Sequence, residues 1–253
     1  MWMQWWEYVL IAVAGMAAGT INAVVGSGTL ITFPVLLAFH YPLVTANISN
    51  GLGLVPGSVA GAYGYRRELA GQRPRLIKLG AASALGAVVG AILLLTLPPG
   101  AFQAVVPVLI VIALVLVIIQ PWLARKLAER KPEGAGDGGF LLLLGIFATG
   151  VYGGYFGAAQ GVIALGIMGV LLRESMQRMN AAKNVLTALA NLVSGIVFIA
   201  VAHVAWIAVA LIAVGSMIGG VIGARIGRKL PPIALRAVIV VVGLAAIGKL
   251  LIP

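Results

Sequence analysis

Residues 15–34 read GMAAGTINAVVGSGTLITFP, and residues 150–165 answer them with GVYGGYFGAAQGVIAL. In each, an apolar stretch stops at a cluster of glycines and resumes as a shorter apolar run. Glycine is used where φ must be positive or where backbones approach closely. A helix interrupted inside an apolar segment leaves N–H and C=O groups unpaired where lipid cannot satisfy them. Paired interruptions at corresponding positions of two halves mark the substrate site of a secondary transporter. The breaks therefore decide the fold more than the long apolar helices do.

Around them the chain of 253 residues is 62% hydrophobic and 9% charged, with a mean hydropathy of +1.11. Apolar runs of membrane-spanning length recur from end to end, which defines a polytopic, all-α membrane protein. A net charge of +11 suggests nucleic acid only when basic residues form a stripe on a polar domain; here they punctuate apolar runs, and no nucleic-acid partner is expected. The chain has no cysteine, so disulfides and thiolate metal sites are excluded. The N-terminus, MWMQWWEYVL, lacks a positive leader and a cleavage site, and Trp2, Trp5, Trp6 and Tyr8 suit an interfacial belt. The first helix is read as retained.

Sixteen of the 17 Lys and Arg fall in four clusters: Arg66, Arg67, Arg73, Arg75 and Lys78; Arg125, Lys126, Arg130 and Lys131; Arg173, Arg178 and Lys183; Arg225, Arg228, Lys229 and Arg236. The connections near residues 40, 98 and 203 carry none. The positive-inside rule places the clusters in the cytoplasm and the bare turns outside. Apolar segments fall at about 5–25, 28–40, 43–65, 76–97 and 101–122, then 139–156, 160–172, 180–202, 204–224 and 232–252, five per half. This predicts a plasma-membrane protein with both termini outside, a first repeat over 1–125, a cytoplasmic linker over 126–138 and a second repeat over 139–253 in inverted orientation. Segments 28–40 and 160–172 are the odd ones: about 12 residues at about 1.5 Å each cover about 18 Å of a 30 Å core. Each re-enters beside its predecessor or spans partly as extended chain.

The halves align with drifting offsets. Gly19 and Gly26 match Gly150 and Gly157; Asn50 and Gly61 match Asn184 and Gly195; Ser49 matches Lys183, and Gly86 matches Gly220.

A half-helix beginning in mid-membrane presents unpaired N–H groups and the positive end of its dipole, which attract an anion. Gly26, Ser27, Gly28 and Thr29 supply backbone and two hydroxyls at one such start, and Gly157 through Gly161, with Gln160, supply the other. The two are expected to form an oxyanion cradle; close helix packing is the alternative use of the glycines. Asn180, Asn184, Thr187, Asn191 and Ser194 follow spacings of four, three, four and three, which puts them on one helix face. Such a stripe faces a bundle interior, as ligand or as glue between helices. Asn47, Ser49 and Asn50 are the first-half equivalent. Lys183 supplies the counter-charge for an anion or snorkels as an anchor. Asn22, one turn beyond Gly19, bonds substrate or caps the half-helix. Glu7, Glu68, Glu129, Glu133, Asp137 and Glu174 all map to ends or connections, so no carboxylate relay crosses the membrane, and His40 and His203 map outside. No Ser-His-Asp order, metal cluster or P-loop is present. The chain reads as a non-enzyme without cofactor.

The pattern Gly-x-x-x-Gly-x-x-Asn-x-x-x-Gly-x-Gly followed by Thr-Leu-Ile-Thr-Phe-Pro, with its echo from residue 150 and the charged linker, resembles the sulfite exporter TauE/SafE family of membrane permeases. The resemblance covers essentially the whole chain and implies export of sulfite, sulfonates or related small sulfur-containing anions. The second break reads GAAQG where such proteins often carry more glycine. A passive anion channel and a non-transport accessory protein are the rival readings. Small-residue stripes at Gly15/Gly19 and Gly57/Gly61 pack helices within one chain or between copies of a homo-oligomer.

Overall fold

The structure, a computed structural model, describes residues 4–128, 139–226 and 232–251. Trp2, most of the linker with Glu129, Arg130, Lys131, Glu133 and Asp137, and Arg228 and Lys229 lie outside the described residues. Ten helices make up the rest: α1 (Trp5–Val24), α2 (Thr29–Ala38), α3 (Leu43–Gly64), α4 (Arg73–Thr96), α5 (Pro99–Ala128), α6 (Gly139–Tyr155), α7 (Gln160–Leu171), α8 (Met176–Val201), α9 (Trp206–Ile226) and α10 (Pro232–Leu251).

Where these limits depart from the apolar segments, capping explains the difference. Helix α8 begins four residues before its apolar stretch because Ser175 accepts from the Arg178 amide at 3.4 Å. Helix α5 continues past Trp122 through Arg125 and Lys126. Hydropathy marks the bilayer, not the helix end. Five described helices are long and apolar enough to cross a membrane: α1, α4, residues 100–122 of α5, α8 and α9. Helix α3, with 22 residues, is not among them because glycine, Asn47, Ser49 and Asn50 dilute it.

Both short helices fold back along their predecessors. Gly28 packs on Ala18, and the rings of Trp6 and Phe39 meet edge-to-face with centroids 5.7 Å apart, so α2 runs back alongside α1. Likewise Gly153 packs on Gln160 and Gly145 on Ile167, so α7 runs back alongside α6. Each hairpin turns at a left-handed glycine: Gly26 (φ +90°) donates to Ile21 O at 3.2 Å, and Gly157 (φ +76°) donates to Tyr152 O at 3.0 Å.

Helices α3 and α8 are antiparallel, since Gly61 packs on Asn184 and Gly195 on Leu52. The first hairpin joins the N-terminal end of α3 and the second joins that of α8, so the hairpins enter the bundle from opposite ends. The main packing pairs of the two halves correspond: α1 lies on α9 as α6 lies on α4, α3 on α9 as α8 on α4, and α2 on α10 as α7 on α5. Gly19 rests on Ser216 as Gly150 rests on Ser83.

These contacts correct the register of the repeat. Gly86 sits on Phe147 as Gly219 sits on Met16, and Ser83 Oγ donates to Leu186 O (3.2 Å) as Ser216 Oγ donates to Gly53 O (2.8 Å). Gly86 therefore corresponds to Gly219 rather than Gly220, and Asn50 to Lys183 rather than Asn184. Helices rich in small residues align with one another in several registers, and only their contacts choose between them. Gly15, Gly19, Gly57 and Gly61 all pack on residues of the same chain. Outward-facing Val108, Val111, Ile112, Val115 and Ile118 of α5 give the bundle a lipid-facing surface, while Trp5, Trp6, Trp122 and Trp206 stand exposed near helix ends.

Candidate functional site

The two breaks touch. The Gly161 amide, in the first turn of α7, donates to Gly26 O at 3.1 Å. A methyl group on either glycine would lie 2.6 Å from the other's Cα, so neither position accepts a side chain without displacing backbone. Lys183 runs beside both: its Cδ lies 3.1 Å from the Cβ position of Gly26 and 2.8 Å from that of Gly161.

Helix α1 ends at this crossing, and its last carbonyls are taken by side chains from elsewhere in the bundle. Lys183 Nζ donates to Asn22 O (2.7 Å) and Ala23 O (3.3 Å). Asn180 Nδ2 (3.1 Å) and Asn184 Nδ2 (3.4 Å) also donate to Ala23 O, and Gln120 Nε2 donates to Val25 O at 3.3 Å. A basic side chain at the negative end of a helix dipole is favourably placed. Lys183 is 0% exposed, so it does not snorkel. The donors are in surplus: three nitrogens converge on Ala23 O, which has two lone pairs. Close by, Ser27 Oγ, Asn180 Oδ1 and Asn184 Oδ1 are buried without a hydrogen-bond partner.

On the other side of the crossing, Asn22 Oδ1 accepts from the Gly28 amide at 3.4 Å and its Nδ2 donates to Ser58 Oγ at 2.9 Å, so Asn22 caps the start of α2. Asn50 Nδ2 donates to Thr29 Oγ1 at 3.2 Å, and Thr32 Oγ1 donates to Asn50 Oδ1. Asn47 Nδ2 reaches across to Tyr155 O, at the end of α6, at 3.0 Å. Thr29, Asn47, Asn50, Gly153, Asn191 and Ser194 line a cavity of about 10 Å³ between the halves. That is room for about one water molecule. Phe156 closes one wall, edge-to-face with Phe33 and Phe102 at centroid distances of 5.3 and 6.1 Å.

The sequence-derived residues thus fall into two adjoining groups. Asn22, Gly26, Gly28, Gly161, Lys183 and Asn184 belong to the crossing, and Thr29, Asn50 and Asn191 line the cavity. Ser27 is buried in the break itself, and Gly157 forms the turn of the second hairpin. Gln160 is buried against Gly153, which puts it behind the cavity wall. Thr187 bonds back to Lys183 O at 3.0 Å within its own helix, away from both groups. Three polar residues of the site escaped the sequence reading: Gln120, Thr32 and Ser58. Gln120 carried a usable signal, a carboxamide that follows sixteen residues with no polar side chain in an apolar span. Thr32 follows Thr29 by one helical turn, and Ser58 lies two turns beyond Asn50.

Comparison with known proteins places the chain in a family. The model of the sulfite exporter TauE/SafE family matches residues 11–250. The probable membrane transporter protein YfcA of Escherichia coli (strain K12) is 27% identical over 248 residues, covering 96% of this chain and 88% of its own. The probable membrane transporter protein YdhB of Bacillus subtilis (strain 168) is 27% identical over 226 residues, covering 89% and 91%, and a probable membrane transporter protein of Haemophilus influenzae is 24% identical over 239 residues, covering 93% and 91%. No solved structure matches the chain. With a match spanning nearly its full length, the chain belongs to the sulfite exporter TauE/SafE family.

Proposed function

We propose that this multi-pass membrane transporter moves a small sulfur-containing anion, sulfite or an organosulfonate, by alternating access at the crossing of its two helix breaks, with net export from the cell. The observation that carries the reading is the convergence of three nitrogen donors on Ala23 O at the crossing. Lys183, Asn180 and Asn184 present more N–H groups than Ala23 O can accept, next to the unpartnered hydroxyl of Ser27. An oxyanion entering there gains charge-assisted bonds and relieves the crowding. Thr29, Asn50 and Asn191 extend the polar surface toward the cavity.

Hairpins entering from opposite ends of the bundle support a two-sided mechanism, in which one half rocks against the other about a fixed site. A cavity the size of one water is too small for a sulfonate group, so the halves must part to admit it. The basic clusters of Arg75 and Arg178, joined through Glu174 and the Ala70 carbonyl, lie at the end where α3 stops and α8 starts, and we assign that end to the cytoplasm, with both termini outside. There they would raise the anion concentration at the inner mouth.

The test is labelled counterflow and charge movement in proteoliposomes offered sulfite, taurine-like sulfonates, sulfate, chloride and a neutral solute. Saturable exchange of a sulfur anion is expected. Unitary currents would replace the carrier with a channel, and no anion flux from folded protein would remove the transport assignment.

A further inference from the structure

Lys183 stands apart among the described ionisable side chains: it is wholly buried within the bundle, and its amine donates to two backbone carbonyls rather than to a carboxylate. The elements packed around it offer no acid. Helices α2 and α7 carry no titratable side chain. Those of α1, Glu7 and Tyr8, lie in its first turn. Helix α3 has Tyr63 in its last turn and Tyr65 at its C-cap, where Tyr65 packs with Ala181 and Ala224. Arg73, Arg75 and Lys78 occupy the start of α4, with Arg75 bound to Glu174. On α6, Tyr152 donates its hydroxyl to Ala158 O and Tyr155 meets Phe102 edge-to-face. On α8 itself, Arg178 is bound to Glu174. His40 and His203 are exposed in connections between helices.

We propose that Lys183 is the proton-coupling group of the transporter, an inference that rests on the anion-transport reading above. A neutral amine has two N–H groups, and Asn22 O and Ala23 O accept two. Its lone pair is free to take one proton. The resulting ammonium has a third N–H, and an isolated charge in so dry a place is costly unless a counter-ion accompanies it. An incoming anion is that counter-ion. Proton and anion therefore stabilise each other's binding, and by linkage each leaves more readily once the other has gone. In each cycle the amine takes one proton from the side that is open, holds the anion as an ammonium, and releases both on the other side. The lysine returns neutral, a monovalent anion crosses without net charge movement, and net export runs whenever the outward gradient of the anion exceeds the inward gradient of protons.

The experiment uses proteoliposomes with an enclosed pH dye and two probes, sulfite and isethionate, the second a strong-acid sulfonate that brings no proton of its own. One proton is expected to enter per isethionate, and a gradient of one pH unit should raise its accumulation about tenfold. In Lys183→Arg, whose charge is permanent, any remaining exchange should be indifferent to the pH gradient. Because the chain has no cysteine, Lys183→Cys gives a second route. Alkylation with 2-bromoethylamine, which rebuilds an amine, should restore proton uptake, and iodoacetamide should not. If sulfite is the only probe moved, the comparison of wild type with these variants carries the test. Anion counterflow without proton movement in the wild type would overturn the inference and leave the transporter reading intact. Proton uptake persisting in Lys183→Arg or after iodoacetamide would take the role away from Lys183. No counterflow of any anion from folded wild type would overturn the transport reading, and this inference with it.

Discussion

The Gly161 amide donates to the Gly26 carbonyl across 3.1 Å, and that one bond joins the start of α7 to the end of α1. A methyl group on either residue would meet the other's Cα at 2.6 Å, and Gly26 also holds a φ of +90° that side chains resist. Gly26→Ala and Gly161→Ala should each destabilise the protein by about 2–3 kcal/mol, the scale of overpacking joined to backbone strain. Gly100→Ala, where a methyl group meets nothing within 4 Å, should leave the melting curve in detergent unchanged.

The two seams α1/α9 and α4/α6 are built alike, so equivalent changes should cost alike. A methyl group on Gly19 would lie 2.1 Å from Ser216 O, and one on Gly150 would lie 2.4 Å from Ser83 O. Gly19→Val and Gly150→Val should lower thermal stability by similar amounts. A large loss from one and none from the other would count against a common architecture of the halves.

How much of this was legible beforehand depended on the kind of interaction. Helix positions followed from apolar runs, and the breaks at Gly26 and Gly157 followed from glycine, because both are properties of the local chain. The return of α2 alongside α1 was not readable from length, since ten residues fit a re-entrant helix or part of an extended crossing; the contact of Phe39 with Trp6 shows it. The polar faces of α3 and α8 were visible in the spacing of Asn50, Asn184 and Asn191. The partners of Lys183 were not, because its acceptors are backbone carbonyls of α1, and every residue type carries those. Gln120 was passed over because its neighbours are so uniformly apolar.

Asn50 holds both hydroxyls of α2, that of Thr29, which lines the cavity, and that of Thr32 one turn on. Asn50→Ala should cost about 1–2 kcal/mol in stability, in line with two interhelical hydrogen bonds inside a membrane. It should also lower counterflow about tenfold, corresponding to about 1.4 kcal/mol in the transport barrier. Thermal denaturation and flux measured on one preparation check both values.

Glu174 is the clasp at the basic end of the bundle, with Oε1 2.8 Å from Arg75 Nη1 and Oε2 2.7 Å from Arg178 Nε. Partial burial alone would raise its pKa, but the hydrogen bonds and charges of the two arginines outweigh it and hold the carboxylate below its ordinary value of 4.5. A depressed folded pKa contributes stability above the unfolded value, and that contribution disappears as pH falls through the folded one. Glu174→Gln should therefore melt roughly 2 °C below wild type at pH 7, the scale of a screened ion pair. The difference should close below about pH 4 and shrink in high salt.

The central claim is that the anion passes between the two breaks, and the most direct measurement is saturable sulfite or sulfonate counterflow in wild type beside Thr29→Val, Asn184→Leu and Asn191→Leu. These changes remove polar atoms while nearly keeping side-chain volume. The account predicts saturable exchange by wild type and reduced exchange by all three variants, each eluting as folded protein. Wild-type rates in all three would contradict it.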